Sequence, residues 1–182
     1  RRTRATIAKE KGLEPLANLI LLQKMTVSPL EEAENYINPE KEVSTAEDAL
    51  NGAKDILAES VSDNADFRTH IRELTMKHGQ LLSAAKDPEA ESVYEMYYEF
   101  SESLSKLAGH RILAISRGEK EKFLTVKIDA PVDRILSYLD RKLITAPSAP
   151  TAAVLHEVTE DAYNRLIAPA IEREIRSDLF EK

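Results

Sequence analysis

The chain has 182 residues, no cysteine and a formal net charge of −7, with 25 basic against 32 acidic side chains. This length fits one domain or two small lobes, and the missing cysteines exclude disulfides, thiol catalysis and cysteine-based zinc sites. No apolar run approaches the ~20 residues that span a bilayer, and the N-terminus lacks an apolar signal core, so we expect a cytoplasmic protein with no membrane partner.

The first part of the chain carries signals for three helices. A short basic helix is predicted over Thr3–Lys11 and ends at Gly12. A second helix begins at Glu14–Pro15, because proline costs nothing in a first helical turn. A capping box at Ser28–Glu31 opens a third, which we expect to end at Asn38 because the next residue is proline.

A second capping box, Ser44–Glu47, opens the clearest amphipathic helix, which runs to Val61. Either Asp63 or Asn64 caps the next helix, and His78–Gly79 closes it.

The middle of the chain is harder to assign. Residues Gln80–Lys86 fit either a short strand or one helical turn. Tyr94, Tyr97 and Tyr98 have helical spacing, and we interpret them as a packing face, with a base-stacking platform as the alternative. Ser101 is expected to cap a helix that reaches Leu107.

The last third returns to clear signals. A helix over His110–Arg117 should stop at Gly118, and the alternating residues Phe123–Ile128 predict a strand. Residues Thr145–Pro150 form a loop, and a long helix follows, which Pro169 should kink. The predicted fold is therefore mainly α, an irregular multi-helix assembly with one short β element near residues 123–128 and a long kinked C-terminal helix.

The sequence offers no catalytic or cofactor-binding motif. It has no phosphate-binding glycine loop, no HExxH and no GxSxG. Among the four histidines only His70 and His78 are near in sequence, and on one helix they lie ~12 Å apart, too far to share a metal. We predict no catalytic residue, no metal and no cofactor.

The charge is uneven along the chain and points to two basic segments. Residues 1–30 carry +4, residues 31–109 carry −11, residues 110–145 carry +3 and the remainder carries −3. An acidic whole repels nucleic acid at long range, so phosphate contacts need the basic segments. The alternative is that both segments are ordinary solvated helix faces. The candidate phosphate-binding side chains are Arg1, Arg2, Arg4, Lys9, Lys11, Arg111, Arg117, Lys120, Lys122 and Lys127.

Three stretches carry a family resemblance. The segment Arg1–Ala17 (RRTRATIAKEKGLEPLA) resembles a signature of the bacterial Tex transcription accessory proteins, which are related to eukaryotic Spt6. His110–Glu119 (HRILAISRGE) and Tyr163–Ile175 (YNRLIAPAIEREI) resemble two further stretches of that family, in the same order. The chain is thereby identified as a member of the family, and as the helical N-terminal portion of such a protein.

The resemblance implies an organisation and a function. Full-length family members combine a helical region that contains a helix-turn-helix with ribonuclease-H-like, helix-hairpin-helix and S1 domains, and they bind nucleic acid in transcription. On that basis residues 1–145 would be the helical region, and residues 146–182 a linker and helix leading to a ribonuclease-H-like domain beyond an excised end.

We therefore expect a non-catalytic scaffold fragment that contributes to binding RNA or DNA through phosphates, and possible contact with the transcription machinery. The alternative is a structural module that docks a basic partner through the acidic middle, without nucleic-acid contact.

Overall fold

A computed structural model describes residues 2–181 and confirms a mainly α-helical chain. It divides into two compact units. Within the described residues, the first unit takes in the chain up to Arg68 together with Leu136–Ala168, and the second takes in Thr69–Ile135 together with the residues from Pro169 onward. The predicted boundary between residues 145 and 146 concerns the layout of the full-length protein and stays a prediction.

The first unit is helical, and three of its helices begin at a side-chain cap. Thr3 caps the first helix, Ser28 the third and Thr45 the fourth, one residue later than the predicted serine. The third helix is shorter than predicted, because it passes into a 3₁₀ turn over Glu34–Tyr36 before Asn38 is reached. The helices whose residues build this unit are α1 (Arg4–Glu10), α2 (Glu14–Leu22), α3 (Pro29–Ala33), α4 (Ala46–Asp63), α7 (Val132–Leu143) and α8 (Thr151–Asp161).

Buried leucine and isoleucine side chains fill the core of this unit, at roughly 1.5–3 kcal/mol each. Alanines on the inner face of α4 let the neighbouring helices approach closely, and Gly52 is the extreme case. A Cβ on Gly52 would lie 2.3 Å from Leu13 Cδ1, so a larger residue there would force the buried Leu13 side chain to move. The largest fully buried side chains of the unit are Leu13, Leu16, Ile20, Leu139, Leu155 and Ile167.

The second unit is built on a small antiparallel sheet. The predicted strand is present as β3 (Leu124–Asp129), but it is one of three, in the order β2 (Glu99–Ser103), β1 (Gln80–Ala85), β3. The segment Gln80–Lys86, which fitted either a strand or a helical turn, thus contains a strand. The helices α5 (Ala65–His78), α6 (Gly109–Lys120) and α9 (Ala168–Phe180) contribute their second-unit residues to its core, through Ile71, Ile115 and Ile175.

Two predictions for the middle of the chain are wrong: the α-helical arrangement of the tyrosines, and the helix that Ser101 was expected to cap. Glu95–Tyr97 forms a 3₁₀ turn and Ser101 lies in β2. A 3₁₀ helix also places every third side chain on one side, so Tyr94 and Tyr97 share a face without an α-helix. Both are buried, which confirms the packing interpretation.

The predicted helix stop at Gly118 is also wrong, because α6 continues to Lys120. A Cβ at Gly118 would lie 2.4 Å from Leu124 Cδ1, so this glycine serves close packing against β3. Before Pro169 the chain forms a π-helical turn over Ala162–Ile167. The wider turn accommodates the missing backbone N–H of the proline within a helix that runs on into α9.

Candidate nucleic-acid interface

Two basic side chains of the N-terminal segment form ion pairs on α1 and α2. Arg2 Nη1 donates to Glu10 Oε1 at 2.9 Å, and Lys9 Nζ lies 3.7 Å from Glu14 Oε2. Arg1 lies outside the described residues. Arg2 and Lys9 are exposed, but each already has a carboxylate beside it.

The other two described cations of the N-terminal segment, Arg4 and Lys11, line an open cleft in the same unit. Arg4 and Lys11 border a space of about 310 Å³ together with Asp48 and Asp55. Burial raises the pKa of the Asp55 carboxyl, and the nearby cations Arg165 and Arg4 act against that rise. The positive charge of the N-terminal segment is therefore largely offset within its own unit.

In the second unit, α6 presents a cationic face to solvent. His110, Leu113, Arg117 and Lys120 are exposed and fall within about 80° of one another around the helix, over ~15 Å of its length. Leu113 is 61% exposed, although it is a leucine in the middle of a helix. The opposite face holds the buried Ile115 against the sheet unit's core. The exposed face of α6 thus carries Arg117 and Lys120 beside one exposed leucine, and the face that holds Ile115 packs into the core.

The acidic side chains between these cations are engaged by partners of their own. Arg176 Nη2 donates to both oxygens of Glu119, at 2.6 and 2.7 Å, while its Nη1 donates to the Val126 carbonyl at 3.2 Å. The Tyr94 hydroxyl donates to Glu121 at 2.5 Å, and this hydrogen bond, aided by burial, raises the pKa of Tyr94. The run from 117 to 122 is nearly neutral by composition, but its two carboxylates are tied to the protein.

The cations of this run, and Lys127 on the following strand, are exposed to solvent. Lys122 follows the helix end with a left-handed φ of +67°, and Lys127 lies on the exposed side of β3. Within residues 2–181, no carboxylate comes within 4.0 Å of the charged groups of Arg117, Lys120, Lys122 or Lys127. We call these four residues the α6 basic surface, after the helix that carries Arg117 and Lys120.

Arg111 is placed differently from the rest of the second segment. It lies about 160° around α6 from Leu113, and its guanidinium carbon is 5.4 Å from the centre of the Phe100 ring. Phe100 in turn packs edge-on against Tyr97 at 5.2 Å. This cation–π contact makes Arg111 part of the packing of its unit.

Two further features are absent from the part of the chain that the structure describes. No group of three or more histidine, cysteine or acidic side chains there is arranged to hold a metal ion. Nor does any described helix combine the length and apolarity that crossing a membrane requires.

Sequence reasoning named every cation of the α6 basic surface, but it missed what separates them from the acids. The partner of Glu119 is 57 residues away along the chain, and that of Glu121 is 27 residues away. No local pattern encodes such distances. Only the fold reveals that Arg176 neutralises Glu119 and that Tyr94 holds Glu121, which stays exposed and charged.

Comparison with known proteins gives consistent matches. A family model described as "Tex central region-like" matches residues 24–182. "Uncharacterized protein YdcI" of Bacillus subtilis is 49% identical over 185 residues, which is 100% of this chain and 26% of that protein. Human "S1 RNA-binding domain-containing protein 1" is 31% identical, covering 97% of this chain and 19% of that protein. "Transcriptional accessory protein Tex" of Neisseria gonorrhoeae is 30% identical, covering 76% and 19%. The chain thus spans about a fifth to a quarter of the length of these relatives.

Proposed function

The chain belongs to the Tex family, and from that premise we propose that it is a non-catalytic helical scaffold that contributes phosphate contacts to nucleic-acid binding in transcription. The contacts are made by the α6 basic surface. The observation that carries the proposal is the separation of charge in residues 117–122, where Arg176 and Tyr94 hold the carboxylates and leave the cations in solvent.

Phosphate contact suits this surface because it needs charge and no base-specific geometry. The relatives named for transcription and for RNA binding support a nucleic-acid partner in the cytoplasm, and contact with the transcription machinery. The helix-turn-helix implied by the resemblance stays a prediction.

The N-terminal cations have a smaller share in this proposal. Arg2, Arg4, Lys9 and Lys11 would exchange an existing carboxylate neighbour for a phosphate, which lowers the net gain. Arg1 and Arg111 are kept as candidates, the latter with a packing role besides.

Charge reversal tests the proposal on the 182-residue chain. Arg117→Glu with Lys120→Glu should weaken binding of single-stranded RNA or DNA at least tenfold, measured by fluorescence anisotropy at two salt concentrations. The melting temperature should change little, because both side chains are exposed. The matched control is Arg2→Glu with Lys9→Glu, which should cost less than threefold. Absent binding of RNA, single-stranded and double-stranded DNA by the wild-type chain would refute the proposal.

A structural and protein-docking module is the second candidate, and the net charge of −11 over residues 31–109 favours it. Charge reversal at Arg117 separates the two candidate functions. A large fall in melting temperature from Arg117→Glu would support a structural role, whereas Arg111→Glu should destabilise in either case because it loses the Phe100 contact. A nuclease assay with and without Mg²⁺ tests the non-catalytic part, and cleavage dependent on this chain would contradict it.

A further inference from the structure

The first unit exposes an unusual amount of apolar surface in one stretch. Of the ten large hydrophobic side chains that are exposed among residues 2–181, six lie between Leu19 and Ile37. On α2, Pro15, Leu19 and Leu22 share the outward face at i, i+4 and i+7, and Leu22 is 60% exposed. The core-facing side of the same helix holds Leu16 and Ile20, so α2 is apolar on both sides.

The apolar surface continues from α2 onto α3. The two helices pack against each other and both pack on α4. The short connection between them is therefore held at each end. Val27 in the connection and Leu30 on α3 are 38% and 42% exposed. Exposed hydrophobic side chains on folded proteins are usually scattered singly, so their grouping on α2, α3 and the connection favours a binding surface.

Negative charge lines this surface on α3 and the turn after it. Glu31, Glu32 and Glu34 follow Leu30 directly, and Lys24 is the one basic residue of residues 19–37. None of the three carboxylates lies within 4.0 Å of a cation among the described residues. They differ in this from Glu10 and Glu14 on α1 and α2, which are paired.

An apolar strip beside unpaired carboxylates is complementary to a helix with leucine-like residues on one side and lysine or arginine on the other. We propose that α2, α3 and the connection between them form a docking surface for a basic amphipathic helix of a partner protein, with Leu22 and Leu30 as apolar contacts and Glu31 and Glu34 as charge contacts. This proposal is independent of the nucleic-acid surface, which lies in the other unit.

The test uses a synthetic 18-residue helical peptide with leucine on one face and lysine on the other. Two control peptides are used, one with glutamate in place of lysine and one with the same composition in scrambled order. By fluorescence anisotropy at ~150 mM salt, the lysine peptide should bind the 182-residue chain at least tenfold more tightly than either control. Equal binding of the scrambled or the acidic peptide would overturn the proposal.

Variants locate the binding. Leu22→Ser with Leu30→Ser should weaken the peptide at least tenfold, and Glu31→Gln with Glu34→Gln should weaken it and flatten its salt dependence. The apolar control is Val93→Ser, 85% exposed in the second unit, and the charge control is Glu89→Gln with Glu91→Gln; neither should change binding. The glutamine variants keep the test valid should the serine variants lower the melting temperature. If the control variants lose peptide affinity to the same extent, the site is refuted. A concentration-dependent dimer of the chain that Leu22→Ser abolishes would also refute it, because a second copy of the chain would then occupy the surface.

Discussion

At the scale of single residues, Lys122 is the most informative position of the α6 basic surface. Its backbone is left-handed, with φ at +67°, a conformation that costs a non-glycine residue roughly 1–2 kcal/mol. Glycine there removes the strain but adds ~0.5–1 kcal/mol of unfolded-chain entropy.

Lys122→Gly should therefore raise the free energy of unfolding by ~0.5–1 kcal/mol, measured by urea denaturation, while it weakens nucleic-acid binding. Glu42→Gly, at a φ of +63° in the first unit, is the comparison and should give a similar stability gain without weakening binding. A Lys122→Gly protein that is more stable and binds as tightly as the wild type would remove Lys122 from the surface.

His156 predicts a pH dependence of stability in the first unit. Its Nδ1 lies 2.7 Å from Asp140 and its Nε2 2.8 Å from Glu160. The hydrogen bond to Asp140 raises the pKa of His156, with Glu160 and Glu157 adding to the rise and partial burial opposing it. A raised folded-state pKa stabilises the protein fully below the unfolded value of about 6.5, and this contribution is lost as the pH rises through the folded value.

The destabilisation by His156→Ala should accordingly be larger at pH 5.5 than at pH 8.5. Because the side chain is half exposed, the difference should be at most ~1 kcal/mol. Thermal or urea unfolding of both proteins at both pH values measures it, and equal destabilisation at the two would contradict the ionic contact.

At the scale of elements, Gly118 shows packing overriding helix propensity. Alanine in the interior of α6 should gain ~1 kcal/mol by propensity alone. The added Cβ would lie 2.4 Å from Leu124 Cδ1 and 3.2 Å from Tyr94, and Leu124 is fully buried. Gly118→Ala should therefore destabilise the protein by ~1–3 kcal/mol. Gly109→Ala, where nothing lies within 4 Å, should be neutral or stabilising, and a comparable loss there would refute the packing argument.

The elements that the sequence predicts well are those whose signals are local. Ser28 and Asn64 accept the backbone hydrogen bonds of their helices as expected, and the alternation in 123–128 marks a strand. The sheet as a whole was not predictable, because β2 reads Glu-Phe-Ser-Glu-Ser and lacks an apolar alternation. It becomes a strand by pairing with β1, which is a tertiary effect.

At the scale of the whole molecule, the chain separates charges that its composition mixes. A net charge of −7 predicts repulsion of nucleic acid, but the fold ties Glu119 and Glu121 to Arg176 and Tyr94 and leaves four cations exposed in the second unit. Which residues carry charge was predictable from the sequence. Which charges remain available depends on contacts between residues far apart in the chain.

The salt dependence of nucleic-acid binding tests directly whether the α6 basic surface makes the phosphate contacts. Four phosphate contacts to a single strand give a slope of about −3 in log affinity against log salt. Neutralising Arg117, Lys120 and Lys122 to glutamine should bring that slope to about −1, whereas neutralising Arg2, Lys9 and Lys11 to glutamine should leave it within about one unit of the wild-type value. If the first triple variant keeps the wild-type slope and the second abolishes it, the α6 basic surface is not the site of phosphate contact.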